Sequence, residues 1–204
     1  MRRRGRGFTL VEIMIGLVIL SIMLAIGVPS MKSWLSASSA AAASEFYAEG
    51  FKLARGEAVK RNAVTRMTLS TNAVNGQLDW QVDLCVPTPT TACNNTSGSW
   101  STPTAPNGDA HSTDFLSIKR VATNLPKSSQ LTITRTPATA LAVYFTSLGW
   151  IDTTITPTLT EIQLAPAAGN ANAFPTSKVV VTLSGVVTKC NPQVVVHDSR
   201  SCPP

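Results

Sequence analysis

The residues with the most chemical potential lie in the first thirty positions. Arg2, Arg3, Arg4 and Arg6 precede Gly7. An apolar run over 8–28 follows, and Glu12 is its single charge. A carboxylate inside an apolar span costs about 2.5–3.5 kcal/mol at a helix centre and less near the end, so such a residue needs a partner. Four cysteines form a second chemical set: Cys85, Cys93, Cys190 and Cys202. Their spacing suggests two local pairs, Cys85–Cys93 and Cys190–Cys202, but four cysteines allow three connectivities and sequence does not choose among them. A zinc site would need C-x2-4-C spacing, which is absent, so no metal is expected. His197-Asp198-Ser199 has the residue types of a hydrolytic triad, but a triad is assembled from distant segments rather than three neighbours. The other histidine, His111, sits in a Pro/Gly/Ser/Thr-rich stretch. No phosphate loop or dinucleotide fingerprint is present. The expectation is therefore no catalytic residue, no cofactor and no enzyme activity.

The elements around Glu12 give it meaning. At 1.5 Å per residue the run spans about 31 Å, the thickness of a bilayer's hydrocarbon core. The flanking arginines would stay on the cytoplasmic side and place the rest of the chain across the membrane. A cleaved signal peptide is one reading, but the run is long and no small-x-small site follows it directly. A plain single-pass anchor explains the length but not Glu12. A third reading rests on the string Gly7-Phe8-Thr9-Leu10-Val11-Glu12, which resembles the cleavage and methylation signal of type IV pilins and type II secretion pseudopilins. That resemblance implies cleavage after Gly7 by a prepilin peptidase, methylation of Phe8, an assembly role for Glu12 and a helix kink at Pro29. A free amine on Phe8 would lie about one helical turn from Glu12, and the opposite charges could pair within or between subunits.

After the proline the composition turns to small residues, with Tyr47, Phe51, Ala54 and Ala58 on one helical face and Phe46 and Leu53 widening it. Gly50 and Gly56 each cost about 1 kcal/mol relative to Ala in a helix interior. The residues over 53–62 resemble the helix end of the GspH/FimT (FimU-like) family of minor pilins and pseudopilins, where a pattern like A-R-x-E-A-x-x-R-N leads into the first strand. Arg55, Glu57 and Arg61 themselves read as a solvated, ion-paired face.

Beyond Asn62 the pattern is β, with candidate strands over 64–74, 77–85, 115–121, 130–135, 141–145, 161–164 and 178–188. Asn75-Gly76 reads as a hairpin turn and Gly185 as a bulge or turn. Residues 86–113 read as a long surface loop, with Asn94-Asn95-Thr96 as a weak glycosylation match. The fold class expected is α+β: a pilin-like fold, with a long N-terminal helix packed on an antiparallel sheet or sandwich. Its divisions are a leader over 1–7, an apolar helix over 8–29, an amphipathic helix over 30–62 and a disulfide-bonded β domain over 63–204. Disulfides fit an oxidising periplasm.

Length and composition agree with this division. The 204 residues are 44% hydrophobic and only 14% charged, which excludes a disordered chain. The net charge of +6 suggests nucleic acid, yet without the first seven residues thirteen cations face eleven acids, leaving +2. Some relatives in the resembled family bind DNA through a G-R-x-R-like motif in the C-terminal region. Here the tail offers Lys189, His197 and Arg200, and no such motif. Lys119, Arg120, Lys127 and Arg135 read as scattered solvated cations.

The resemblance implies a minor pilin, held in the inner membrane with its C-terminal domain periplasmic and then assembled into a pilus or its priming tip complex. Its implied partners are the prepilin peptidase, other minor pilins, the major pilin and an inner-membrane assembly platform. Adhesion and DNA uptake are further roles within that family. A type II secretion pseudopilin and a membrane-anchored periplasmic binding module are the alternatives.

Overall fold

The computed structural model describes residues 8–85, 87, 89–104, 115–171, 173–195 and 198–203. Among these residues one helix, α1 (Leu10–Arg61), is followed by eight strands: β1 (Val64–Thr71), β2 (Leu78–Cys85), β3 (Ile118–Arg120), β4 (Leu131–Thr136), β5 (Ala142–Phe145), β6 (Glu161–Pro166), β7 (Ser177–Val181) and β8 (Val187–Cys190). They form two four-stranded antiparallel sheets, ordered β3-β2-β1-β5 and β4-β6-β7-β8. The fold is α+β, with the C-terminal part of α1 packed on both sheets.

The helix uses its sequence in two ways. Every described side chain over 8–28 and 30–35 is exposed, and packing sets in from Ser36. From there Ala43, Tyr47, Phe51, Ala54 and Ala58 are fully buried. They join Met67, Trp80 and Val82 of the first sheet and Ile162, Leu164 and Val179 of the second in a single core. Polar tips are satisfied across this seam. The Tyr47 hydroxyl donates to the Leu78 carbonyl at 2.9 Å, and Trp80 Nε1 donates to the Phe46 carbonyl at 2.8 Å. Burial beside Leu78 raises the Tyr47 pKa well above its ordinary value, so the hydroxyl keeps its proton. Asn62 closes the helix in the left-handed region at φ 49° and ψ 44°, a conformation that Asn tolerates.

The strands are close to those read from sequence, with four physical differences. β1 ends at Thr71 because Asn72 turns the chain: its Oδ1 accepts the Val74 amide and its Nδ2 donates to Asp79. The β1–β2 hairpin therefore has six loop residues between Thr71 and its partner Leu78, rather than a two-residue Asn75-Gly76 turn. Asn75 accepts the Gln77 amide and donates to the carbonyls of Ala122 and Leu125. Residues 178–188 contain two strands, because the chain reverses over 182–186, with Gly185 at φ 75°. Two short 3-10 turns, Ala122–Asn124 and Ala168–Asn170, follow the long helix where no helical signal was read.

The described part of the stretch read as a surface loop, residues 87, 89–104, is tied to the first sheet. Cys93 bonds Cys85, the Ser101 hydroxyl accepts the Leu84 amide, and the Ser101 amide donates to the Leu84 carbonyl. Trp100 lies under the Arg66 guanidinium, 4.3 Å from its ring centroid, and edge-on to Tyr144. Arg66 also bonds the buried Asp83 at 2.8 Å, so the outer face of this sheet carries a second, polar layer.

Candidate assembly surface

The N-terminal end of α1 is built around Thr9. Its backbone is extended, at φ −81° and ψ 152°, and its hydroxyl accepts the Glu12 amide at 3.2 Å. Thr9 is thus the N-cap and Glu12 the third helical residue, the spacing of a capping box, with the acid in the turn where the helix dipole favours it. The Thr-x-x-Glu spacing is itself a capping signal in the sequence, lying within the larger motif. Phe8 directly precedes the N-cap and is 77% exposed. In this unprocessed chain its nitrogen belongs to a peptide bond, so the cation expected opposite Glu12 would arise only on cleavage. Gly7 lies outside the described residues.

Over 10–28 the helix is apolar apart from Glu12; α1 is long and apolar enough to cross a membrane, and none of its most apolar window is buried in the molecule. Its few hydroxyls are spent internally. Ser21 donates to the Leu17 carbonyl at 2.7 Å, Ser30 to Gly27 and Ser33 to Ser30. Such back-bonding leaves little polar surface facing outward. The helix continues as one element through position 29. A surface of this kind has no covering within the molecule and requires lipid or the apolar helices of neighbours.

The remaining sequence candidates are placed as follows. Cys85 is bonded to Cys93 and Cys190 to Cys202, leaving no free cysteine. The second bridge holds the tail beside β8, where Asn191 bridges Ser201. His111 and His197 lie outside the described residues. Among the described residues, no group of three or more His, Cys, Asp or Glu is placed to hold a metal ion.

The cations do not form one basic face. Lys119 and Arg120 stand on β3, an edge of the first sheet, and Arg135 on β4, an edge of the second. Arg120 pairs with Glu49 and Arg135 donates to the Ala140 carbonyl at 2.9 Å. Lys127 is exposed in the connection between β3 and β4. Lys189 pairs with Glu45. Hydrogen bonds from Arg200 hold the Asp198 carboxyl down at about 2.

The helix end resembling the family pattern is less solvated than its sequence suggested. Arg55 donates to the Gly149 carbonyl at 3.3 Å and packs beside the turns at Gly149 and Gly185. Glu57 is mostly covered and pairs with Lys60 and Arg61. The Arg61 guanidinium stands 4.7 Å from the Phe115 ring centroid. These cations brace the strand connections against the helix, a role visible only once the turns are in place. Asn94 of the glycosylation match uses its Oδ1 to accept from Thr96 and Ser97, closing a turn just after Cys93 of the first disulfide.

Two family matches agree with this geometry. Residues 2–28 match the prokaryotic N-terminal methylation motif. Residues 42–185, more than two thirds of the chain, match the family described as Type II transport protein GspH. Searches of curated proteins and of solved structures returned no match.

Proposed function

The chain belongs to the GspH family, and on that footing we propose that it is a minor pilin assembled into a type IV pilus, within the priming or tip complex. The two family matches make the chain a pilus- or secretion-related minor pilin. The observation that carries the proposal is the division of α1: the residues over 10–28 and 30–35 are exposed and mainly apolar, with Glu12 near the start and Lys32 near the end as their charges, and the helix over 36–61 packs on the domain.

The proposed sequence of events follows from that division. The apolar part lies first in the inner membrane, with the arginine leader inside and the β domain in the periplasm. A prepilin peptidase cuts after Gly7 and Phe8 is methylated. The new Phe8 amine is a cation, and Glu12 of the same or a neighbouring subunit neutralises it. An unpaired carboxylate is unfavourable away from water, so Glu12 favours docking where an amine is available. Bundling with other minor pilins and the major pilin, at an inner-membrane assembly platform, then replaces lipid around the helix. Pro29 is proposed as the point where the helix bends to fit the bundle. The protein is proposed to act structurally, without catalysis or cofactor.

Substituting Glu12→Val tests the proposal. The variant should remain in the membrane and be cleaved, yet its incorporation into sheared filaments should fall at least about tenfold, about 1.4 kcal/mol. Normal incorporation would contradict the role given to the carboxylate. A second reading, a pseudopilin of type II secretion, draws support from the family's description. The cysteine-closed tail supports the pilus. Deleting the gene distinguishes the two: loss of surface pili with exoprotein secretion intact supports the pilus, and the reverse supports secretion.

A further inference from the structure

Outside the apolar part of α1, several large exposed apolar side chains meet at the far end of the domain. Two turns abut there, 146–151 after β5 and 182–186 between β7 and β8. The Ile151 amide donates to the Leu183 carbonyl at 3.0 Å. The Gly149 carbonyl lies so close to Gly185 that any Cβ at 185 would strike it. Leu148, Trp150 and Leu183 on these turns are 68%, 58% and 68% exposed. Val59 approaches the Gly149 turn from α1, and Val186 is also exposed. An open groove of about 560 Å³ lies alongside, lined by Val59, Val186 and Val187 and by the cations Lys52, Arg55 and Lys60.

No acid is among the described residues lining this groove. Lys52 and Lys189 share Glu45, Lys60 and Arg61 share Glu57, and Arg55 donates only to the Gly149 carbonyl. With Asp152 counted, five cations meet three acids here, so the rim keeps an excess of positive charge. An apolar centre with an exposed tryptophan and a basic rim has the anatomy of a protein-binding surface. Its position excludes the anchoring bilayer. Val59 lies 24 residues beyond Leu35 in the same helix, about 36 Å along its axis. A second copy meeting it through the same face would set Lys52, Arg55 and Lys60 against their own equivalents, a like-charge contact.

We propose that this patch docks a different subunit of the same assembly, through an acidic segment carrying apolar side chains. The proposal rests on the minor-pilin reading, in which apolar helices bundle at one end and this end meets a neighbour displaced along the axis.

Photocrosslinking of the full chain in the native cell tests it. A photoreactive phenylalanine analogue replaces Leu183, with the exposed Thr134 on β4 as the control position. The expected result is one product at 183, absent at 134, whose captured peptide is acidic and apolar and comes from another protein. Trp150→Ala should lower its yield at least about tenfold. Lys60→Glu, a change on an exposed side chain, should do the same. A product containing only a second copy, equal products at both positions, or yields unchanged by both substitutions would overturn the docking. Cleavage before Phe8 and incorporation into filaments are scored in the same cells. A processed, incorporated chain with no product at 183 overturns the docking alone, whereas an uncleaved chain removes the minor-pilin reading and the docking with it.

Discussion

Glu45 stands between Lys52 and Lys189 and so joins α1 to the last strand. Hydrogen bonds from Lys189, then Lys52, hold its carboxyl below the ordinary value of 4.5. A lowered folded pKa means that this contribution is present above the ordinary carboxylate range and is lost as pH falls through the lowered value. The group is half exposed, so the effect is small. Thermal melts should show Glu45→Gln less stable than the parent at neutral pH, with the gap closing as the pH is lowered. A gap that persists at the acid end would contradict the ion pairs. Residues differ in how far their roles were legible. Glu12 was visible because one acid in 21 apolar positions is a contrast that composition alone reveals. Arg55 and Arg61 were not, because the groups they brace, the Gly149 carbonyl and Phe115, lie far away in sequence. Arg66 and Trp100 likewise meet only after the stretch following Cys93 folds back on the sheet.

Gly50 and Gly56 both lie within α1. By propensity alone Gly50 and Gly56 cost the same. In the structure Gly50 faces the first sheet, and a Cβ there would stand 2.7 Å from Met67 Cε and 3.0 Å from Trp80 Cδ2. Gly56 has open space around it. Gly50→Leu should therefore destabilise by about 2 kcal/mol or more through overpacking. Gly56→Ala should stabilise by roughly 0.5–1 kcal/mol. Thermal or denaturant unfolding of the full chain in detergent reads both, and two substitutions of equal sign would contradict the packing described. Elements with a strong period were legible: the Tyr47, Phe51, Ala54 and Ala58 face is the face that is buried. Boundaries set by side-chain hydrogen bonds were not, as Asn72 and Asn75 show in the β1–β2 loop. Residues 178–188 look like one strand because valine stands on both sides of the reversal, and apolar content does not record a change of direction.

At the scale of the molecule, one chain serves three surroundings. Four of the seventeen cations lie in the first seven residues, and much of the apolarity lies in the exposed part of α1. What remains is a mildly charged domain of two sheets, pinned by the packed part of the same helix and closed by two disulfides. The sheet order had no counterpart in the sequence, since pairing β1 with β5 depends on contacts far apart in the chain. The account as a whole depends on the chain being processed and then leaving lipid for a filament. Mass spectrometry of the N-terminus of the protein from its native membrane or filament tests this most directly. The account predicts a mature chain beginning at Phe8 and carrying one added N-methyl group. A chain that retains Met1, or one cut anywhere other than before Phe8, would contradict it.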